Sequence, residues 1–269
     1  MVRVAAIQMT STPEVAQNLR VAAELLARAA GGGARIAALP ENFAWMGGEQ
    51  EDRRPITEAD GRGPIQDFLA EAARRHKFWI IGGTLPLESG RDQRDAAAAL
   101  VFDETGRRVA RYDKIHLFDV HLPDKDELYR ESANVSPGTT PVVIDTPAGK
   151  LGLAVCYDMR FPELFRSLSA AGAEWFCLPS AFTAPTGRAH WETLLRARAI
   201  ENLCYVVAPA QSGMHVNGRE TYGDTMIIDF WGRVLQRLPR GAGVVAADFD
   251  RDRQLDARRR FPVLSHRVM

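Results

Sequence analysis

Cysteine is scarce in this 269-residue chain: Cys156, Cys177 and Cys204 stand far apart, with no Cys-x-x-Cys among them. An odd, scattered set argues against a disulfide framework or a thiolate zinc site and points to a reduced, cytoplasmic setting. Charge of one sign is missing too, since Lys and Arg number 34 and Asp and Glu 34. With no basic surplus or basic run, neither nucleic acid nor a membrane surface is expected as a partner. Apolar runs fall short of the roughly 18–20 residues that span a bilayer. The first residues, Met1-Val2-Arg3-Val4-Ala5-Ala6-Ile7, enter strand-like sequence without a signal-peptide pattern. Gly-x-Ser-x-Gly, P-loop and His-Glu-x-x-His motifs are absent, which removes several competing chemistries.

Apolar sequence is plentiful, at 46% of residues, enough for a sizeable core. Strand-like and helix-like segments alternate from the start. Residues 2–8 and 35–39 read as buried strands, separated by a helix over 13–30 with Val15, Leu19, Ala22, Leu26 and Ala29 on one stripe. A helix at 64–76, a strand at 78–83 and a hairpin of 98–103 with 107–113 follow. A second hairpin pairs 141–146 with 151–156, then come helix 162–171, strand 174–179, helix 189–202 and strand 204–210. The end is strand-rich, at 225–230, 233–238 and 243–249. No linker or low-complexity tract divides the chain, so residues 1–269 are expected to form one layered α/β domain with mixed sheets. The long irregular stretches 43–62, 115–140 and 211–224 are candidates for functional loops.

In Leu151-Gly152-Leu153-Ala154-Val155-Cys156-Tyr157-Asp158-Met159-Arg160-Phe161-Pro162-Glu163-Leu164, a strand stops at a thiol and a helix restarts after a proline. A lone cysteine in an apolar run is ordinarily a packing residue, and Cys177 and Cys204 read that way. In the joint, however, the dipole of the next helix favours thiolate and the Tyr157 N–H can receive an oxyanion. Two more reactive groups occupy comparable joints: Glu41 just beyond strand 35–39 and Lys114 just beyond strand 107–113. Ligand sites gather at such strand ends in open α/β sheets. Each residue alone also fits a loop-capping or solvated role. His116 and His190 are alternative bases for a Cys–His hydrolase or acyltransferase; His116 also fits a role in orienting the loop after Lys114.

These segments resemble the carbon–nitrogen hydrolase (nitrilase) superfamily. The likeness runs from Ala5-Ala6-Ile7-Gln8-Met9 to Phe261-Pro262-Val263. It is strongest at Leu39-Pro40-Glu41-Asn42, at Tyr112-Asp113-Lys114-Ile115-His116-Leu117-Phe118 and at Cys156 to Glu163. The resemblance implies a four-layer αββα sandwich with two mixed β-sheets, commonly dimerised through helices near the cysteine. It implies Glu41 as general base, Lys114 as transition-state lysine, Cys156 as nucleophile and an oxyanion hole of Lys114 and the Tyr157 N–H. Counting back seven residues from Gly138 of Pro137-Gly138 assigns Glu131 as an accessory group that orients Lys114 or the substrate. No metal or organic cofactor is implied.

Within the superfamily, His116-Leu117-Phe118-Asp119-Val120 is similar to the branch of deaminated-glutathione amidases and ω-amidases. The stretches 179–192 and 218–223 are closer to the former. The resemblance implies an anionic amide substrate, a 2-oxoglutaramyl peptide cut to 2-oxoglutarate and cysteinylglycine, with 2-oxoglutaramate as the alternative. A true nitrilase fits the loop signatures less well, and a catalytically silent scaffold of the same fold is the reading from another class. Arg160, Phe182 and Thr183 are candidates to hold the substrate, Arg160 by a bidentate grip on a carboxylate or else by pairing structurally with Asp158 or Glu163. Two departures stand out: Asp224 where relatives tend to carry histidine, and Phe230 in place of a common proline. A homodimer or higher even homo-oligomer is expected.

Overall fold

Period-two alternation in the strands decides the layering. A computed structural model describes residues 1–47, 54–122 and 127–268. In the strand Val2–Gln8, Val4 and Ala6 pack into one core cluster while Ala5 and Ile7 pack into another. In the neighbouring strand, Ile36 and Ala38 join the first cluster and Ala37 the second. Both faces are buried, so both carry apolar residues.

The first sheet has seven strands, ordered Gly243–Phe249, Val2–Gln8, Ile36–Ala38, Trp79–Ile81, Asp95–Phe102, Leu85–Glu88, with Arg108–Asp113 also paired to Asp95–Phe102. Val2–Gln8, Ile36–Ala38 and Trp79–Ile81 run parallel, and the other pairings are antiparallel. The second sheet has six strands with a parallel centre of Gly149–Leu153, Trp175–Cys177 and Tyr205–Ala208. Antiparallel strands Val143–Thr146, Thr225–Ile228 and Val234–Leu238 flank it. The two sheets face each other through Val4, Ala6, Ile36 and Ala38 on one side and Leu151, Leu153 and Val207 on the other.

Helices close both outer faces. Helix α1 (Val15–Gly31) and helix α2 (Pro64–His76) bury Leu25, Leu26, Ile65 and Leu69 against the first sheet. Helix α3 (Pro162–Ala170) and helix α4 (Ala184–Asn202) bury Phe165, Leu168, Trp191 and Leu195 against the second, with Phe165 edge-on to Phe176 at 5.1 Å. The fold is an αββα sandwich of two mixed sheets.

Several elements depart from the sequence expectations. Helix α4 begins five residues earlier than predicted, at Ala184, because Pro185 sits in its first turn and Gly187 fits beneath Tyr222. A Cβ on Gly187 would lie 2.2 Å from the Tyr222 ring. Residues 115–140 and 211–224 are not wholly irregular: they carry the hairpins Asp119–Leu122 with Glu127–Arg130 and Ser212–Met214 with Glu220–Tyr222. Residues 48–53 and 123–126, which fall within two of the predicted loops, lie outside the described residues. Helix α5 (Arg251–Arg260) follows the last strand and has almost no apolar stripe. It is held by polar bonds instead, with Gln254 donating to the Glu174 and Leu203 carbonyls and Arg251 clamping the Glu174 carboxylate. Among the described residues, no helix is long and apolar enough to cross a membrane.

Candidate active site

Three strand ends converge on one cleft. Glu41 lies just beyond Ile36–Ala38, and the chain can turn there because Gly83 passes directly against the Pro40 carbonyl. A Cβ on Gly83, at φ +56°, would sit 2.0 Å from that oxygen. Lys114 follows Arg108–Asp113; its N–H is held by Ala97 O and its carbonyl accepts from the Gly138 N–H at 2.8 Å. Cys156 comes three residues after Gly149–Leu153. Its backbone is left-handed, at φ +47°, a strained conformation for a residue with a Cβ. A bond from its N–H to Pro179 O and the 3₁₀ turn Cys156–Arg160 hold it there.

Lys114, 2% exposed, is the hub of the site. Its ammonium donates to Glu41 Oε1 at 2.9 Å and to both Glu131 oxygens at 3.0 and 2.8 Å. The two carboxylates are fixed in turn by backbone donors, Glu41 Oε2 by the Ala181 N–H at 2.7 Å and Glu131 Oε2 by the Phe118 N–H at 2.7 Å. Burial alone would drive the lysine toward the neutral amine. Glu131 and Glu41, with the neighbouring Cys156, outweigh that and raise its pKa far above the ordinary value. The lysine is a permanent cation.

The Cys156 thiol moves in the direction opposite to the sequence expectation. Burial pushes its pKa up strongly, the Glu41 charge and the thiol's hydrogen bond to that carboxylate push the same way, and Lys114 only partly opposes them. The helix whose dipole was expected to favour thiolate, α3, starts only at Pro162, and the intervening five-residue 3₁₀ turn has too small a dipole to reverse this. At neutral pH the resting Cys156 is therefore a neutral thiol. Such a thiol attacks only as its proton leaves, and Glu41 is the acceptor in place.

One buried carboxylate staples two of the strand ends together. Asp158, fully buried, accepts from Tyr112 Oη at 2.7 Å, His116 N at 3.0 Å, His116 Nδ1 at 2.7 Å and Val155 N at 2.8 Å. These donors bracket Lys114 and adjoin Cys156. His116 is thus turned to Asp158 and stacked on Phe161 at 3.7 Å, orienting the loop after Lys114 rather than facing the thiol as a base. His190 is exposed and contacts Arg160.

The three strand ends open on a cleft of mixed polar and apolar lining, as small-molecule sites have. Glu41, Lys114, Glu131, Cys156, Tyr157, Phe182 and Thr183 all line it, so seven of the eight candidate residues come together. Tyr157 lies in the opening turn of the 3₁₀ helix, where N–H groups lack partners within the helix. Arg160 is the exception. It is not among the lining residues; its guanidinium lies over the Tyr157 and Phe182 rings at 5.6 and 5.2 Å and contacts His190 Nδ1 at 3.2 Å. Among the described residues, the salt-bridge alternative with Asp158 or Glu163 is not formed. Asp224, the first departure, is bound by Arg237 Nη2 at 2.7 Å and does not line the cleft. Sequence reasoning missed Trp45, Met46, Arg130, Thr186 and Arg219 among the lining residues. Single residues in irregular stretches carry no periodic signal that would have found them.

Comparison with known proteins gives consistent results. The family model described as carbon–nitrogen hydrolase matches residues 3–259. A Synechocystis protein named deaminated glutathione amidase is 44% identical over 267 residues, covering 98% of this chain and 97% of that protein. The crystal structure of Saccharomyces cerevisiae Nit3, a member of branch 10 of the nitrilase superfamily, superposes with a TM-score of 0.89 at 28% identity, covering 100% of this chain and 97% of that one. The Caenorhabditis elegans NitFhit structure gives a TM-score of 0.86 at 36% identity and covers 99% of this chain, which spans 65% of that longer one.

Proposed function

The chain belongs to the carbon–nitrogen hydrolase family, and from that premise we propose that it is a cysteine amidase whose substrate is deaminated glutathione, 2-oxoglutaramyl-cysteinylglycine. The observation that carries the mechanism is the buried Lys114 cation bridging Glu41 and Glu131 next to a neutral Cys156 thiol. Glu41 accepts the thiol proton as Sγ bonds to the amide carbon. The carbonyl electrons move onto oxygen, where Lys114, whose two contacts to Glu131 can share one N–H, and the Tyr157 N–H receive the charge, worth a few kcal/mol per donor. Glu131 takes no proton; it holds Lys114 in register.

Collapse of the tetrahedral adduct breaks the C–N bond, and Glu41 returns its proton to the departing amine. Water then attacks the thioester while giving its proton to Glu41, and the thiolate recovers that proton on release of the acid. No step calls for a metal or an organic cofactor. The substrate assignment rests on the amidase relatives and on the cations Arg130 and Arg219 that line the cleft.

The test is kcat/KM for 2-oxoglutaramyl-cysteinylglycine beside 2-oxoglutaramate. Preference for the peptide supports the reading, preference for the smaller amide makes the enzyme an ω-amidase, and inactivity toward both, with another amide cleaved, refutes the substrate class. The same reading includes a homodimer. Ile200, Trp231 and Phe261 form an exposed apolar patch, each about half exposed, with the last two rings 5.7 Å apart and Ile200 against Gly232. Light scattering should give twice the chain mass, and Trp231→Glu should shift it toward the monomer.

A further inference from the structure

Arg219 occupies the turn between Ser212–Met214 and Glu220–Tyr222 and lines the cleft. Its guanidinium is positioned from two sides. One face lies over the Tyr129 ring at 5.2 Å, and Nη2 donates to Ala181 O at 2.7 Å. Nε is buried without a hydrogen-bond partner, and among the described residues no carboxylate pairs with this arginine. Other buried or partly buried arginines differ: Arg198 pairs with Glu201, and Arg111 with Asp60 and Asp113. A guanidinium partly withdrawn from water with no counter-ion is destabilised until an anion reaches it.

The turn is also built to keep its shape. Arg219 N donates to Asn217 Oδ1 at 3.0 Å, His215 N donates to Arg219 O at 2.9 Å, and Asn217 Nδ2 reaches Gly47 O at 2.7 Å. Gly47 lines the cleft, while Val216, Asn217 and Gly218 are exposed, so the turn forms part of the rim. The Ala181 peptide links the rim to the reacting centre: its carbonyl accepts from Arg219 and its N–H holds Glu41. Whichever half of a long amide extends to the rim meets a preset cation one peptide unit from the base. With the acyl half bound on the interior side of Cys156, the half at the rim is the leaving amine.

Resting on the function proposed above, we infer that Arg219 binds the carboxylate of the leaving amine and makes the enzyme selective for amides of anionic amines. The discriminating pair of substrates is 2-oxoglutaramyl-cysteinylglycine and its C-terminal carboxamide, which differ only in that charge. The native enzyme should prefer the acid by about 10- to 100-fold in kcat/KM, the span of one or two charge-assisted hydrogen bonds. In Arg219→Gln the loss on the acid should exceed the loss on the carboxamide by about tenfold or more, chiefly through KM. Arg219→Lys, which keeps the charge and loses the planar fork, should fall between. Equal native activity on the two substrates overturns the role of Arg219 and leaves the amidase reading standing. So does an equal loss on both in Arg219→Gln. Native inactivity toward both overturns the role together with the substrate reading.

Discussion

Replacing Lys114 by methionine keeps the aliphatic volume and removes the charge that joins Glu41 to Glu131. The two carboxylates approach the same ammonium at 2.9 and 2.8 Å, so their nearest oxygens are no more than about 6 Å apart. At an effective dielectric of about 20, two like charges at about 6 Å repel by about 3 kcal/mol. Breaking a buried ion pair from one side costs about 3–5 kcal/mol. Glu41 and Glu131 each keep a backbone donor, from Ala181 and Phe118, which places the expected loss toward the lower end of that range. The penalty must also depend on pH: a carboxylate deprived of its cation takes up a proton more readily, which relieves the repulsion on acidification. Urea unfolding should therefore show Lys114→Met destabilised by about 3 kcal/mol at pH 8 and by less at pH 5. Adding Glu131→Gln should return part of the loss at pH 8. A Lys114→Met protein within 1 kcal/mol of native stability at pH 8, with no pH dependence of the difference, would refute the bridging role (threshold set by the size of surface effects, about 0.5 kcal/mol).

Asp158→Asn leaves one good acceptor where four donors converge, so stability should drop by about 2–4 kcal/mol. Turnover should fall more than tenfold, and Tyr112→Phe, which removes one of the four bonds, should cost less on both measures. Gly83→Ala forces a Cβ against the Pro40 carbonyl in left-handed backbone; a loss of about 2–4 kcal/mol in urea unfolding is expected, with reduced kcat. Burial lowers the pKa of His215, with a smaller opposing push from its bond to Ser11 O and a further lowering by Arg219. A histidine held below its unfolded value contributes stability that is complete above about pH 6.5 and is lost as pH falls toward the folded value. His76 titrates in the same direction. The urea midpoint should therefore decline between pH 7 and pH 5, and His215→Gln should reduce the slope without abolishing it.

Much of the site was legible because its three reactive groups stand where strands end. Glu41, Lys114 and Cys156 each stand within three residues of a strand's last residue, and strand ends are where a sheet sandwich exposes side chains to a shared cleft. Glu131 lies in a stretch without periodicity, and only the family resemblance singled it out. Arg160 shows the limit of spacing: four residues after the thiol, its guanidinium lies over the rings of Tyr157 and Phe182, a placement that spacing does not encode. Arg219 reads as one more solvated loop arginine until the hairpin places it on the rim. The same holds for the fold. Helix α5 is Arg-Asp-Arg-Gln-Leu-Asp-Ala-Arg-Arg-Arg, with too few apolar residues for a stripe, and its position is set by side-chain bonds to backbone carbonyls that no periodicity encodes. The direction of the Cys156 shift was misjudged because burial and the adjacent carboxylate outweigh a short helical turn.

The account's central claim is an acyl-enzyme on Cys156 formed with Glu41 as base. Rapid quenching during turnover of 2-oxoglutaramyl-cysteinylglycine, followed by peptide mass spectrometry, tests it most directly. A 2-oxoglutaryl adduct on the peptide that contains Cys156, absent in Cys156→Ala and slow to form in Glu41→Gln, is the predicted result. Turnover with no adduct, or hydrolysis retained in Cys156→Ala, would contradict it.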